Sequence, residues 1–173
     1  MRHLIIDTET TGLSPIQGHR IIELCILEMI DNKLTGEKLH LQFNPERSIS
    51  EQAIKIHGLT LSELQYKPKF KDCIQQIIDF IIQPSIWIFH NAHFDMSFLK
   101  EEFNKCDLTL MKGKHNIIDT LVLARKKYPK EKNNLNALCD RFNINREQRQ
   151  YHNALLDCEL LYKVYLQLIH NVD

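Results

Sequence analysis

An α/β fold, built on a mixed five-stranded sheet flanked by helices, is what the sequence predicts, and three observations predict it. Three apolar runs fill the segment that ends at Phe43, helix-period segments follow from Ser50 onward, and two short apolar runs, 86–89 and 117–118, interrupt those helices. Strands first, then helices alternating with further strands, is the order of a mixed sheet whose faces are covered by helices.

Leu4-Ile5-Ile6 is the first strand, running on into a Thr/Gly turn. Residues 21–30 and 38–43 are the second and third, joined as a hairpin whose reversal falls in 31–36 and is marked by Gly36. Residues 50–57 form a short helix ended by Gly58, and 60–66 another, opened by the capping-box pair Thr60 and Glu63. Phe70, Cys73, Ile74, Ile77, Ile78 and Ile81 recur at helical spacing, giving an amphipathic helix stopped by Pro84. Strand 86–89 leads into a helix over 93–105, and strand 117–118 into a helix over 119–128 that Pro129 ends. Helices over 134–142 and 152–170 complete the chain.

Composition narrows the class. The chain has 173 residues, of which 55 are Ile, Leu, Val or Phe, so it supplies one ample core and is expected to form a single domain over 1–173. The richest apolar stretch, 77–89, is broken by Asp79, Gln83, Pro84 and Ser85 and falls short of the ~18 residues that a membrane span needs. Asp7 follows only a brief apolar run, which denies the N-terminus a signal-peptide core and places the protein in the cytoplasm, away from any membrane. Cys25, Cys73, Cys106, Cys139 and Cys158 are scattered without a Cys-x-x-Cys pair and read as small buried hydrophobes. The basic run 125–132 reads as a solvated helix end and loop.

Three segments carry chemistry. Asp7 and Glu9 stand two apart at the end of a strand, so their side chains leave the same face. Two bare carboxylates so placed repel, divalent cations between them reverse the balance, and oxygen ligands select hard ions, Mg2+ or Mn2+. Gly12 closes the segment and lets a substrate approach the backbone. Asp95 stands on the first turn of the helix after strand 86–89, at the strand end where ligands collect in such sheets. His152 and Asp157 would lie ~140° apart in helical projection, which puts His152 on the loop or frayed turn before the last helix. A histidine near its reference pKa of ~6.5 is able to take a proton from a water. Each segment alone has an ordinary reading: a strand running into solvent, an acid suited to a helix N-terminus, a capping histidine beside an exposed aspartate. Their conjunction, Asp-x-Glu, Asp, His-x4-Asp, each at a strand end or helix start, points to a metal-dependent active site.

In order and spacing these segments resemble the DEDDh exonucleases. Asp7-Thr-Glu9-Thr-Thr-Gly12 is similar to the family's first motif, His90-Asn-x-x-Phe-Asp95 to its second and His152-x4-Asp157 to its third. Ile56-His-Gly-Leu-Thr60, Ile118-Asp-Thr120 with Leu123-Ala-Arg-Lys126, and Asn134-Leu-x-Ala-Leu-Cys139 resemble its proofreading members. The resemblance implies a ribonuclease H-like fold, with Asp7, Glu9, Asp95 and Asp157 holding two divalent ions, Mg2+ or Mn2+, and His152 as general base. It implies hydrolysis that releases nucleoside 5′-monophosphates from 3′ ends. It further implies contacts to the terminal nucleotide from Thr8, Thr10, Gly12, His57 and Asn91. Gln52 stands where those members tend to carry Glu; it still hydrogen-bonds a 3′-hydroxyl but brings no charge.

The substrate implied is a single-stranded or frayed DNA 3′ end, and the partner implied is a DNA polymerase catalytic subunit. Such a partner would supply by tethering the DNA affinity that 22 Lys+Arg against 22 Asp+Glu does not. Members that dock on a polymerase usually continue into a linker and tail, so 1–173 is expected to be the exonuclease domain without them. The catalytic set does not choose between sugars, so an exoribonuclease or oligonucleotide-degrading enzyme of the same family is the alternative. An inactive nuclease-like binding module, a different class, is disfavoured because all five catalytic positions carry the residues the chemistry needs.

Overall fold

The computed structural model describes residues 1–110 and 116–170. Strands β1 (Arg2–Thr10), β2 (Ile21–Ile30) and β3 (Lys33–Gln42) form an antiparallel meander. Helices α1 (Glu51–His57), α2 (Leu61–Leu64) and α3 (Ile74–Ile81) follow, then β4 (Ile86–Phe89) and α4 (Ala92–Asn104). β5 (Asn116–Asp119), α5 (Thr120–Lys127), α6 (Leu135–Arg141) and α7 (Ala154–His170) end the described chain. The sheet order is β3-β2-β1-β4-β5, with β4 parallel to β1 and β5 parallel to β4. This is the mixed five-stranded α/β sheet that the sequence predicts.

Two details differ from expectation. The hairpin reverses at Asp31-Asn32, not at Gly36, because Ile30 pairs with Lys33 and both loop residues take positive φ, 50° and 63°. That is the two-residue turn whose twist suits antiparallel strands, and Asp and Asn tolerate it. Gly36, with φ of 95°, lies inside β3 where the register steps from Leu27–Lys38 to Met29–Leu34, so it serves a bulge. The predicted helix from Phe70 opens as a 3-10 turn over Phe70–Cys73, where the Asp72 carboxylate accepts the Lys69 N–H at 3.0 Å, and becomes α-helical only at Ile74.

Alternation along β1 divides the core. Leu4 and Ile6 face one layer with Ile77, Phe98, Leu99 and the tilted Phe43–Phe70 ring pair, 5.0 Å between centroids. Ile5 faces the other layer with Ile88 of β4 and with Leu138, Leu161 and Val164 of the C-terminal helices. A fully buried Ile or Leu contributes roughly 1.5–3 kcal/mol, so the two layers fix the register of β1 from both sides. Arg20 adds a bidentate pair to the buried Glu102, both contacts at 2.7 Å, which ties α4 to the start of β2. All five cysteines are free thiols, three of them buried. Among the described residues no helix is long and apolar enough to cross a membrane.

The site follows from this layering. β1 is central, α4 lies against one of its faces and α7 against the other. Along the middle of β1 the side chains from the two helices that meet it are apolar; beyond the last β4 pairing at Ile5–Ile88 they are acidic.

Candidate active site

Asp7 and Glu9 project from the α7 face of β1, sharing the parity of Ile5. Asp157 on the first turn of α7, 3% exposed, meets them there. Asp95 arrives from the opposite face. Past Ile88 the strand β4 no longer supplies an acceptor, and the Thr8 N–H donates to Asp95 Oδ1 at 3.1 Å, joined by the Thr8 hydroxyl at 2.7 Å. Sequence spacing thus put these acids on a strand end and two helix starts, and the fold brings all four carboxylates to the wall of one cavity, Glu9 and Asp157 lying close together there and Asp7 and Asp95 beside them.

The electrostatics are those of a crowded, dry acid cluster. Burial, then the charges of Asp95, Asp157 and Glu9, pushes the Asp7 carboxyl well above the usual range. Burial and Asp157 push Glu9 up to about 9. Burial lifts Asp95 to about 7 against the hydrogen bonds from Thr8 that oppose it. Groups raised in this way ionise fully only beside cations. Glu9, His152 and Asp157 each bring a ligand atom within 4.8 Å of the others. Four hard oxygen donors of this kind suit divalent metal ions.

The loop before α7 is built to present His152. Asn153 caps the helix, its Oδ1 accepting the Leu156 N–H at 3.1 Å. The buried Glu23 of β2 accepts the Ala154 N–H at 2.9 Å and the Asn153 amide at 3.2 Å. The His152 N–H donates to the Ile56 carbonyl at 2.9 Å, and the Tyr151 ring lies against Gly58, whose φ of 74° ends α1. The backbone is therefore pinned, while the His152 side chain stays 46% exposed beside Asp157. Burial and the neighbouring Arg149 hold the imidazole below its ordinary 6.5 against the pull of Asp157, which keeps it neutral at physiological pH.

One residue escaped the sequence reading. Arg149, with a side chain only 4% exposed, makes a fork to Asp157, Nε to Oδ1 at 2.5 Å and Nη2 to Oδ2 at 2.6 Å. It also donates to Asn136 Oδ1 and to His152 Nδ1, the latter at 3.0 Å. Within Asn145-Arg-Glu-Gln-Arg-Gln150 no periodicity marks it; its place three residues before His152 is the only sequence signal.

The remaining expected residues all line the same cavity of about 850 Å3. The Thr8 hydroxyl is turned to Asp95 and that of Thr10 to the Gly12 carbonyl, at 2.7 Å each, so both support the protein's own groups. Gly12 is glycine for an internal reason: a Cβ there would lie 2.3 Å from the His19 ring. His57 is buried, its Nδ1 accepting the Leu59 N–H at 3.0 Å, which places the ring proton on Nε2. Gln52 is exposed on α1. Asn91, in the left-handed region at φ 76°, turns the chain between β4 and α4, where Asp119 accepts its N–H at 3.0 Å. Leu13, Ile56 and Phe94 add apolar surface to the walls, Leu13 with 78% exposure.

Comparison with known proteins gives the chain a family. The exonuclease family profile matches residues 4–165. DNA polymerase III subunit epsilon of Rickettsia conorii is 44% identical over 172 residues, covering 98% of this chain and 74% of that protein. Its counterpart in Pasteurella multocida is 42% identical over 172 residues, covering 96% and 68%. Among solved structures, exonuclease X in complex with 5′ overhanging duplex DNA superposes with a TM-score of 0.74 at 28% identity, over 98% of this chain and 92% of that one. The nuclease domain of 3′hExo, a DEDDh family member bound to rAMP, shares the fold, with a TM-score of 0.83 at 17% identity over 99% and 92% of the two chains. The family match and these relatives show that the chain belongs to the exonuclease family, alongside the epsilon subunits of DNA polymerase III, on a fold it shares with a DEDDh nuclease.

Proposed function

We infer that the protein is a 3′-5′ exonuclease that removes nucleoside 5′-monophosphates from DNA 3′ ends, proofreading for a replicative DNA polymerase. The observation that carries the reading is the convergence of Asp7, Glu9, Asp95 and Asp157 at one end of β1 with His152 beside them. Asp7, Glu9, Asp95 and Asp157 would hold two divalent ions, Mg2+ or Mn2+, as the raised, buried carboxyls and their all-oxygen donor set suit. When bound, such ions supply Lewis acidity to the attacking water and to the departing 3′-oxygen. The chain's own groups do the rest. His152, neutral and half-exposed at the cavity mouth, takes the proton of the attacking water. The amides of Gln52 and Asn91 are donors for the sugar and phosphate of the last nucleotide, Leu13 and Ile56 offer an apolar shelf for its base, and His57 supports the wall of the same cavity with its Nε2 enclosed.

DNA is favoured over RNA by the epsilon subunits among the relatives, and a polymerase partner by the same names. A chain with no net charge grips a polyanion weakly, so tethering to a polymerase in the cytoplasm would set the local concentration of 3′ ends. The test is digestion of matched 5′-labelled DNA and RNA oligonucleotides, with free and blocked 3′ ends, in Mg2+ or Mn2+. A metal-dependent ladder from the free 3′ end of DNA, much weaker on RNA, is expected. Preference for RNA would move the protein to RNA processing, and no cleavage of either would leave a binding module.

A further inference from the structure

The cation nearest the acidic cluster belongs to the protein itself. Arg149 lies on the loop between α6 and α7, its side chain almost fully enclosed, and its guanidinium covers both oxygens of Asp157. Its third nitrogen is held by Asn136, on the first turns of α6, so the fork is fixed in place by a neutral acceptor and not merely drawn by charge. Each oxygen keeps a second lone pair, but the positive guanidinium held against both opposes the approach of a divalent ion to the same carboxylate, so the two compete for Asp157.

The same guanidinium donates to His152 Nδ1 at 3.0 Å. Arginine has no lone pair to offer, so Nδ1 must be the accepting nitrogen and, in the neutral ring, the proton lies on Nε2. In this tautomer the one lone pair able to take a proton is already engaged. Arg149 therefore occupies a metal ligand and the general base together.

We propose that Arg149 is an internal latch: its fork holds the metal-free site closed by capping Asp157 and His152 at once, and a divalent ion entering at Asp157 releases both in one movement. The proposal rests on the reading of Asp157 as a metal ligand and His152 as base. It makes the apparent metal affinity lower than the intrinsic one by the fraction of molecules in which Asp157 is uncovered. It also couples base availability to metal occupancy, so that His152 is freed only in a site ready for hydrolysis.

The test reads the latch directly. In 15N-labelled protein the Arg149 Nε–Hε resonance, assigned by its loss in Arg149→Lys and in Arg149→Gln, is expected downfield and slow to exchange without metal. Saturating Mg2+ should move it to the position of a solvated arginine and shift the His152 Nδ1 signal with it. Calorimetry should show Mg2+ binding at least about fivefold tighter in Arg149→Lys, which keeps the charge and loses the fork. An Arg149 resonance that stays in place while Mg2+ binds, with affinity unchanged in both variants, would overturn the latch and leave the metal centre standing. Wild-type protein that binds no Mg2+, or binds it equally well as Asp7→Ala, would overturn the metal centre and the latch with it.

Discussion

Three carboxylates repel Asp7, only Arg149 attracts it, and among the described residues no hydrogen bond compensates it as Thr8 compensates Asp95. Asp7→Ala should therefore abolish turnover yet leave the circular dichroism unchanged, since removing one member of the cluster relieves repulsion; normal activity in the folded variant would contradict its role. His152→Ala should lose ~10²–10⁴-fold in rate with Mn2+ binding retained, as removal of a general base does. Calorimetry showing Mn2+ binding lost would instead make the histidine a ligand. Because burial holds His152 below 6.5, and a base works only when neutral, the acid limb of the pH–rate profile should fall below pH 6.5. A limb above that value would assign the titration to another group. At this scale the five candidate positions, which the fold gathers around one cavity, were legible because each lies in a motif at a strand end or helix start. Arg149 was not, because its partners lie 3 to 13 residues away across a loop with no period, and only the folded loop turns a surface-like charge inward.

Among the elements, the N-terminus of α7 carries most of the site's geometry, and Glu23 holds it from β2. Burial pushes the Glu23 carboxyl up, but hydrogen bonds from His40, Ala154 and Gln42 outweigh it and leave it below its ordinary 4.5. A carboxyl so lowered contributes stability that is present above the unfolded value and is lost as pH falls through the folded one. Glu23→Ala should cost ~2–4 kcal/mol at pH 7 by urea unfolding, with the gap to wild type narrowing below pH 4.5, and should slow catalysis by loosening the His152 loop. A variant of unchanged stability would make that network incidental. The elements themselves were legible from apolar period and punctuation. The hairpin was misplaced because glycine is the strongest turn signal in isolation, whereas here Asp31-Asn32 accept the left-handed turn and Gly36 is spent on a bulge forced by strand register. Register is a property of two strands, and one strand's sequence does not state it.

For the whole molecule, the cluster sets a dependence of stability on pH and metal. Asp7, Glu9 and Asp95 have folded pKa values above their unfolded ones, so the folded state binds more protons, and the metal-free protein should lose stability as pH rises from about 4 towards 9. Divalent metal should reverse that loss, raising Tm at pH 8 by about 2–4 °C for each kcal/mol recovered. A melting temperature in EDTA that is flat across this range would contradict the crowded cluster. Equal numbers of acidic and basic residues hid this from composition, since zero net charge conceals four acids gathered around one cavity. The most direct test of the metal centre is calorimetric titration of Mn2+ into wild type and Asp7→Ala, with DNA degradation from a free 3′ end measured on the same preparations. Two ions bound by wild type, with binding and degradation lost together in the variant, is the predicted result; a variant that keeps both would contradict it.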